Sequence, residues 1–244
     1  MILDILKDVN KYIHGIGVLP AVRINQSKDG IALQSVGPDQ CLIVHSKSAL
    51  KFSDDEIVFG LGQLGLLQSI LDCPEYAENA KITLGRDDNG NLSKIDFATT
   101  NDDFTNSYRL MNKKFLDVLM PEMKYLGTKW KIELTPTLNA IKRFNLQTNA
   151  NSDETTFVMK LVKDNLEVSF GNPGNHSGRF VFAEKVKGTM RGECIFPINV
   201  FQKILNLSSH AQTAAIKLTD EGLMCVSLNS GLVEYDYLIP ALSK

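Results

Sequence analysis

Apolar residues Ile2, Ile5, Leu6, Val9 and Ile13 recur on one face of a 3.6-residue period, with Lys7, Asp8 and Lys11 largely off it, and predict an amphipathic helix over residues 2–13. Gly15, Gly17 and Pro20 end it. Two short apolar runs, VRIN and IALQSV, then flank a Lys28-Asp29-Gly30 turn and predict a hairpin, with CLIVHS as a third strand. EIVFG predicts a strand that feeds a second helix, Leu61 to Leu71, with Leu61, Leu64, Leu67, Gln68 and Leu71 as its stripe. A further hairpin is signalled at Asp88-Asn89-Gly90, between KITLG and LSKIDFAT, and DFTNSYRLM closes this half as a strand.

The same order runs again in the second half. WKIEL leads into a helix that begins near Thr135-Pro136, with Thr135 as N-cap and Leu138, Ile141 and Phe144 on its apolar face. TTFVMKLV and LEVSFG flank the Asp164-Asn165 turn, and GRFVFAEKV follows. ECIF runs into a helix from Pro197 to Leu207, which turns Val200, Phe201, Ile204 and Leu205 inward. The strands TAAIKLTD, LMCVSLN and LVEYDYLIP close the chain, the first two around a Glu221-Gly222 turn. Helix, hairpin and strand thus recur four times. One such unit buries its apolar face only by pairing with a neighbour, so two units make a domain. The fold class expected is α+β, with two similar domains, 1–111 and 129–244, each carrying two helices on antiparallel sheets. Between them, residues 112–128 follow neither period: Phe115, Leu116, Val118, Leu119, Met120, Met123, Tyr125 and Leu126 are apolar, and Pro121 interrupts them. An extended connecting strap fits this pattern better than a helix, and so apolar a strap has to cover either its own domains or a partner.

Three stretches and their order resemble the DNA sliding clamps, the ring-shaped polymerase processivity factors. GIALQSV at 30–36 is similar to the family's signature after its first hairpin, LDVLMPE at 116–122 to a shortened interdomain connector, and YDYLIP at 235–240 to the closing strand and tail. With the fourfold repeat, the resemblance covers nearly the whole chain. The chain opens on a helix where cellular clamps open on a strand, and its second helix carries no Lys or Arg. With its late start and short length, it looks more like the clamps of tailed bacteriophages.

The resemblance implies a head-to-tail homotrimer that encircles duplex DNA without sequence preference, is placed there by an ATP-dependent clamp loader, and tethers a DNA polymerase. Twelve helices, each about 10 Å wide, would describe a ring roughly 40 Å across their axes with about 30 Å clear, enough for a hydrated duplex. The DNA-facing residues would be Lys7, Lys11, Lys142, Arg143 and Lys203, which lie on helices and off the apolar stripes. The subunit interface would join the strand edges 105–111 and 179–183 through Tyr108, Leu110, Arg179, Phe180 and Phe182. A pocket for partner peptides would draw on Val36, Cys41, Leu119, Met120, Pro121, Tyr237, Ile239 and Pro240.

Composition changes this picture in few places. A net charge of −2 argues against a broad basic DNA-binding surface, yet suits a ring that needs cations only on its lining. Cys41, Cys73, Cys194 and Cys225 form no CxxC pair, so neither a disulfide frame nor a metal site is expected. No run approaches the roughly 18 apolar residues of a membrane span, and the acidic N-terminal stretch is unlike a signal peptide. The expected location is the cytoplasm, that of the bacterial host for a phage protein. No catalytic motif surrounds His14, His45, His176 or His210, and GNPGNHSG at 171–178 lacks the Lys-Ser/Thr ending of a phosphate loop. No cofactor is expected. An enzyme and a non-ring scaffold of the same fold are the alternatives to a clamp.

Overall fold

A computed structural model describes residues 2–77, 80–121, 128–172, 174 and 176–242. The chain divides into two compact units: Met1–Tyr125 with Leu232–Glu234, and Leu126–Gly231 with Tyr235–Lys244.

In the first unit, helix α1 (Ile2–Ile13) precedes β1 (Ala21–Ser27), β2 (Gly30–Val36) and β3 (Ile43–Ser48); β4 (Ile57–Gly62) leads into α2 (Leu64–Leu71), followed by β5 (Lys81–Arg86), β6 (Leu92–Ala98) and β7 (Thr105–Arg109). The strands run in the order β4-β1-β2-β3 and, separately, β5-β6-β7, and every pairing among these strands is antiparallel. At the β1–β2 reversal Gly30 takes φ +137°, and a Cβ there would lie 2.0 Å from the Ser48 carbonyl oxygen, so no other residue fits. Ile5, Leu6, Val9 and Ile13 of α1 are buried, with Val22 and Ile24 of β1 and Leu67 of α2.

The second unit repeats this order. β8 (Ile132–Leu134) leads into α4 (Leu138–Ala150), β9 (Thr156–Val162), β10 (Asn165–Gly171) and β11 (Ser177–Ala183). β12 (Glu193–Pro197) leads into α5 (Ile198–Ser208), β13 (Thr213–Leu218), β14 (Leu223–Asn229) and β15 (Glu234–Pro240). Here the strands run β11-β10-β9-β12 and β15-β14-β13-β8. The core is aromatic: Phe144 of α4 packs edge-on against Phe157 of β9 and Phe201 of α5, with centroids at 5.1 and 5.0 Å.

Some boundaries differ from those expected. Leu61 is a buried residue of β4, and α2 starts at Leu64 after Gln63 turns the chain with φ +50°. Helix α4 is capped by Thr137, whose hydroxyl accepts the Ala140 N–H at 3.1 Å, not by Thr135. Pro136 keeps Thr135 out of the helical region, and the later start leaves Leu138 at 74% exposure, outside the apolar face assigned to it.

The larger correction is the connector, which holds a helix, α3 (Lys113–Leu119), where an extended strap was expected. Asn112 caps it by accepting the Phe115 N–H at 2.9 Å. Leu116 and Met120, four apart, are buried beneath it, and Pro121 falls just past its C-cap and not inside it. Met123, Tyr125 and Leu126 of the connector, with Pro173 and Asn175 of the 171–178 loop, lie outside the described residues.

Candidate functional site

Each unit lays two helices side by side, and each seam is bridged by amides. Asn10 of α1 donates to Gln68 of α2. In the second unit Asn145 of α4 donates to Asn206 of α5 at 2.8 Å and accepts from Gln202 at 3.0 Å. Around these bridges the outer helix faces carry all five cations singled out in the sequence. Lys7, Lys11, Lys142 and Arg143 are exposed and Lys203 is half-buried. Arg143 is the one that leans away: its guanidinium lies 5.3 Å over the Phe180 ring and donates to the Val181 carbonyl at 3.4 Å. It also lines a cleft of about 530 Å³ beside β11, with Phe182, Lys185 and Lys187 among its walls.

Strands β7 and β11 are sheet edges among the described residues. The side chains expected to meet across a subunit contact are, however, turned inward. Tyr108 is buried, its hydroxyl donates to the Gly62 carbonyl, and burial pushes its pKa up. Phe180 and Phe182 are likewise buried, and Leu110 is half-buried with its N–H bonded to the Ser93 carbonyl. What these edges leave exposed is Thr105, Ser107 and Arg109 on β7 and Ser177 and Arg179 on β11, the last 3.3 Å from Glu167. Alternation along a strand explains this, since Tyr108 and Phe180 occupy core-facing positions.

Residues assigned to a peptide pocket separate into three kinds. Met120, Tyr237 and Ile239 are core. Val36 and Cys41 are half-buried, the Cys41 thiol raised in pKa chiefly by burial, while Pro121 and Pro240 are exposed. Leu119 is 49% exposed, and Phe115 (57%) and Val118 (84%), outside the assigned pocket, join it on one face of α3. Their i, i+3, i+4 spacing was the available signal. The helix is anchored from below. Arg23 of β1 is fully buried, pairs with Asp117 at 2.7 Å and donates to the Met120 carbonyl at 3.3 Å; Gln34 of β2 donates to the Pro121 carbonyl at 3.0 Å. Gly60 of β4 gives Leu116 its space, since a Cβ there would come within 2.5 Å of the leucine Cδ2.

Among the described residues no three His, Cys, Asp or Glu side chains cluster to hold a metal, and no helix is long and apolar enough to cross a membrane. The 171–178 loop joins β10 to β11 and leads into a strand, not a helix N-terminus. The most perturbed thiol is Cys225, pushed up to about 12 by burial and then by Asp236, to which Ser227 also donates at 2.5 Å. It faces no cleft described here and is read as core.

No family model and no curated protein matches the chain in sequence. Solved structures do match in shape. One, described as the C-terminal region of FEN-1 bound to A. fulgidus PCNA, aligns over 99% of this chain and 96% of its own with a TM-score of 0.71 and 12% identity. Another, PCNA from Thermococcus kodakaraensis, aligns over 97% of both chains with a TM-score of 0.67 and 13% identity. The chain has the two-domain fold of these PCNA sliding clamps.

Proposed function

We propose that this protein is a sliding clamp: a homotrimeric ring, closed head to tail by β7 of one subunit and β11 of the next, that encircles duplex DNA and tethers a replicative DNA polymerase. The observation that carries this reading is the near-complete alignment of both units with PCNA. Two free strand edges support ring closure, because each offers unpaired backbone groups to a neighbour. Outer helix faces bearing Lys7, Lys11, Lys142, Arg143 and Lys203 would line the hole. Such a ring holds DNA by topology and needs no base contact.

Partner peptides, from a polymerase and from an ATP-dependent loader, would dock near the connector. Leu119, Pro121 and the half-buried Val36 and Cys41 are the assigned residues of the first unit with surface to offer, joined by Phe115 and Val118. The resemblance to tailed-phage clamps would place this work in the cytoplasm of a bacterial host. The clamp acts by holding, so no catalytic group is required of it.

Light scattering on the purified protein tests ring assembly. The expected mass is three times that of the 27.1 kDa chain, and Val181→Glu, which sets a carboxylate on the β11 edge, should give folded monomers with an unchanged melting profile. A wild-type monomer at tens of micromolar would contradict the ring, and a Val181→Glu trimer would move the contact elsewhere.

A further inference from the structure

The two helix pairs are alike in build and unlike in charge. On α1, Lys7 and Lys11 alternate with Asp4 and Asp8, and α2 carries no charged residue, so the first pair balances to zero. Exposed Gly65, Leu66 and Ser69 complete the outer face of α2. On α4 and α5 there is no acidic residue at all; Lys142, Arg143 and Lys203 leave this pair at +3, in a chain whose total is −2. Both seams keep an amide bridge, so the shared fold does not dictate the difference.

We propose that duplex DNA tracks along the helices of the second unit, α4 and α5, with Lys142 and Lys203 as its principal phosphate contacts, and is not held evenly by all four helices. The inference shares with the clamp reading the premise that these helix faces meet DNA. Its physical basis is the range of each field. Cations and carboxylates one turn apart on a helix lie about 5–6 Å from each other, inside the Debye length of about 8 Å at physiological salt. At the distance of a passing phosphate, the α1 charges therefore largely cancel. Lys142 and Lys203 make no ion pair among the described residues, and no carboxylate of α4 or α5 offsets them. Arg143 adds to the same field from the side, offset by Glu133 and Glu184 in the cleft it lines. Asn139 and Asn149 of α4 and Asn199 and Asn206 of α5 bring amide donors to these two helices without adding charge.

Two variants decide the matter: Lys142→Ala with Lys203→Ala, which strips two cations from the second-unit face, and Asp4→Asn, Lys7→Ala, Asp8→Asn and Lys11→Ala together, which strips every charge from α1 and leaves its balance at zero. Anisotropy of a fluorescein-labelled linear duplex, titrated over a range of salt, reads affinity and salt slope, and light scattering on the same samples reads assembly. Each phosphate contact contributes about 0.9 to the slope of log K against log salt. The second-unit pair should weaken binding by about tenfold or more at low salt and flatten the slope by about two for each subunit whose α4 and α5 touch the duplex. The neutral α1 variant should bind within about twofold of the wild type, with its salt slope unchanged. Equal losses, or a larger loss from the neutral α1 variant, would overturn the inference. A wild-type trimer without measurable DNA affinity would overturn it together with the clamp reading. A monomer that kept the asymmetry would remove the ring and leave the second-unit contact standing.

Discussion

Arg23 is the largest fully buried side chain among the described residues, at 2% exposure, and its charge is met by the half-exposed Asp117 of α3 and by neutral oxygens of Asn25 and Met120. Removing the carboxylate strands a buried guanidinium, whereas replacing the arginine by an apolar side chain of similar volume removes the need for a partner. Asp117→Ala should therefore destabilise by about 1–2 kcal/mol, the neutral acceptors limiting the loss, and Arg23→Met by less. Urea melts of the two variants check this order, and a more damaging Arg23→Met would contradict it. Cys225 gives a second test at this scale. Its pKa is raised from the ordinary 9.0 to about 12, first by burial and then by Asp236, so the thiol stays protonated and shielded in the folded protein. Unfolded chains shed this proton near pH 9 and folded chains near 12, which means its contribution to stability is complete below about 9 and falls as the pH rises from there. Alkylation of Cys225 at pH 8 should follow global unfolding; rapid labelling of the native protein would show that the site is open. Residue roles were the least legible part of the sequence. Tyr108 and Phe180 read equally well as interface or core, since an edge strand with one buried face has the same alternation in both cases. Only the neighbours reveal which, here the Gly62 carbonyl above Tyr108 and the Arg143 guanidinium over Phe180.

At the scale of elements, the short strands and the sustained periodicity of α1 match the expectation, and the short helix α3 does not. Helix α1 has a stripe that runs its full length, and its limits, residues 2 to 13, match the expectation. Helix α3 is seven residues long and buries one of them, Leu116, together with Met120 of its C-cap, too few turns for a period to show. Its formation depends on the Asn112 cap and on tertiary partners that lie about a hundred positions back in sequence, at Arg23 and Gln34. Short helices have little stability of their own and form where packing supplies it. Gly60→Ala probes that support. The added methyl meets Leu116 at 2.5 Å, and overpacking of this kind costs about 1–3 kcal/mol. Combining it with Leu116→Ala should recover part of that loss, so that the double variant is less destabilised than the sum of the singles. Strict additivity in denaturant melts would mean that α3 is not held in the Gly60 notch.

At the scale of the molecule, the fourfold order of helix and strands was legible because each repeat brings its own turn signals, Gly30, Gly90, Asn165 and Gly222. Both units are built that way, each with two helices joined by amides. What a linear sequence does not carry is the balance of fields on surfaces assembled from distant segments, so the neutral face of α1 and α2 and the cationic face of α4 and α5 emerge only once the helices are paired. The central claim, that the assembled protein surrounds DNA, is tested most directly by topology. The clamp is threaded onto the free end of a surface-tethered linear duplex, that end is then blocked with a bulky protein, and the surface is washed at about 0.5 M salt, where contacts with a few phosphates no longer hold a protein. A ring should remain through the wash and leave when a restriction enzyme cuts the duplex. Protein that washes away from the blocked duplex as readily as from the cut one would show that it binds DNA without encircling it.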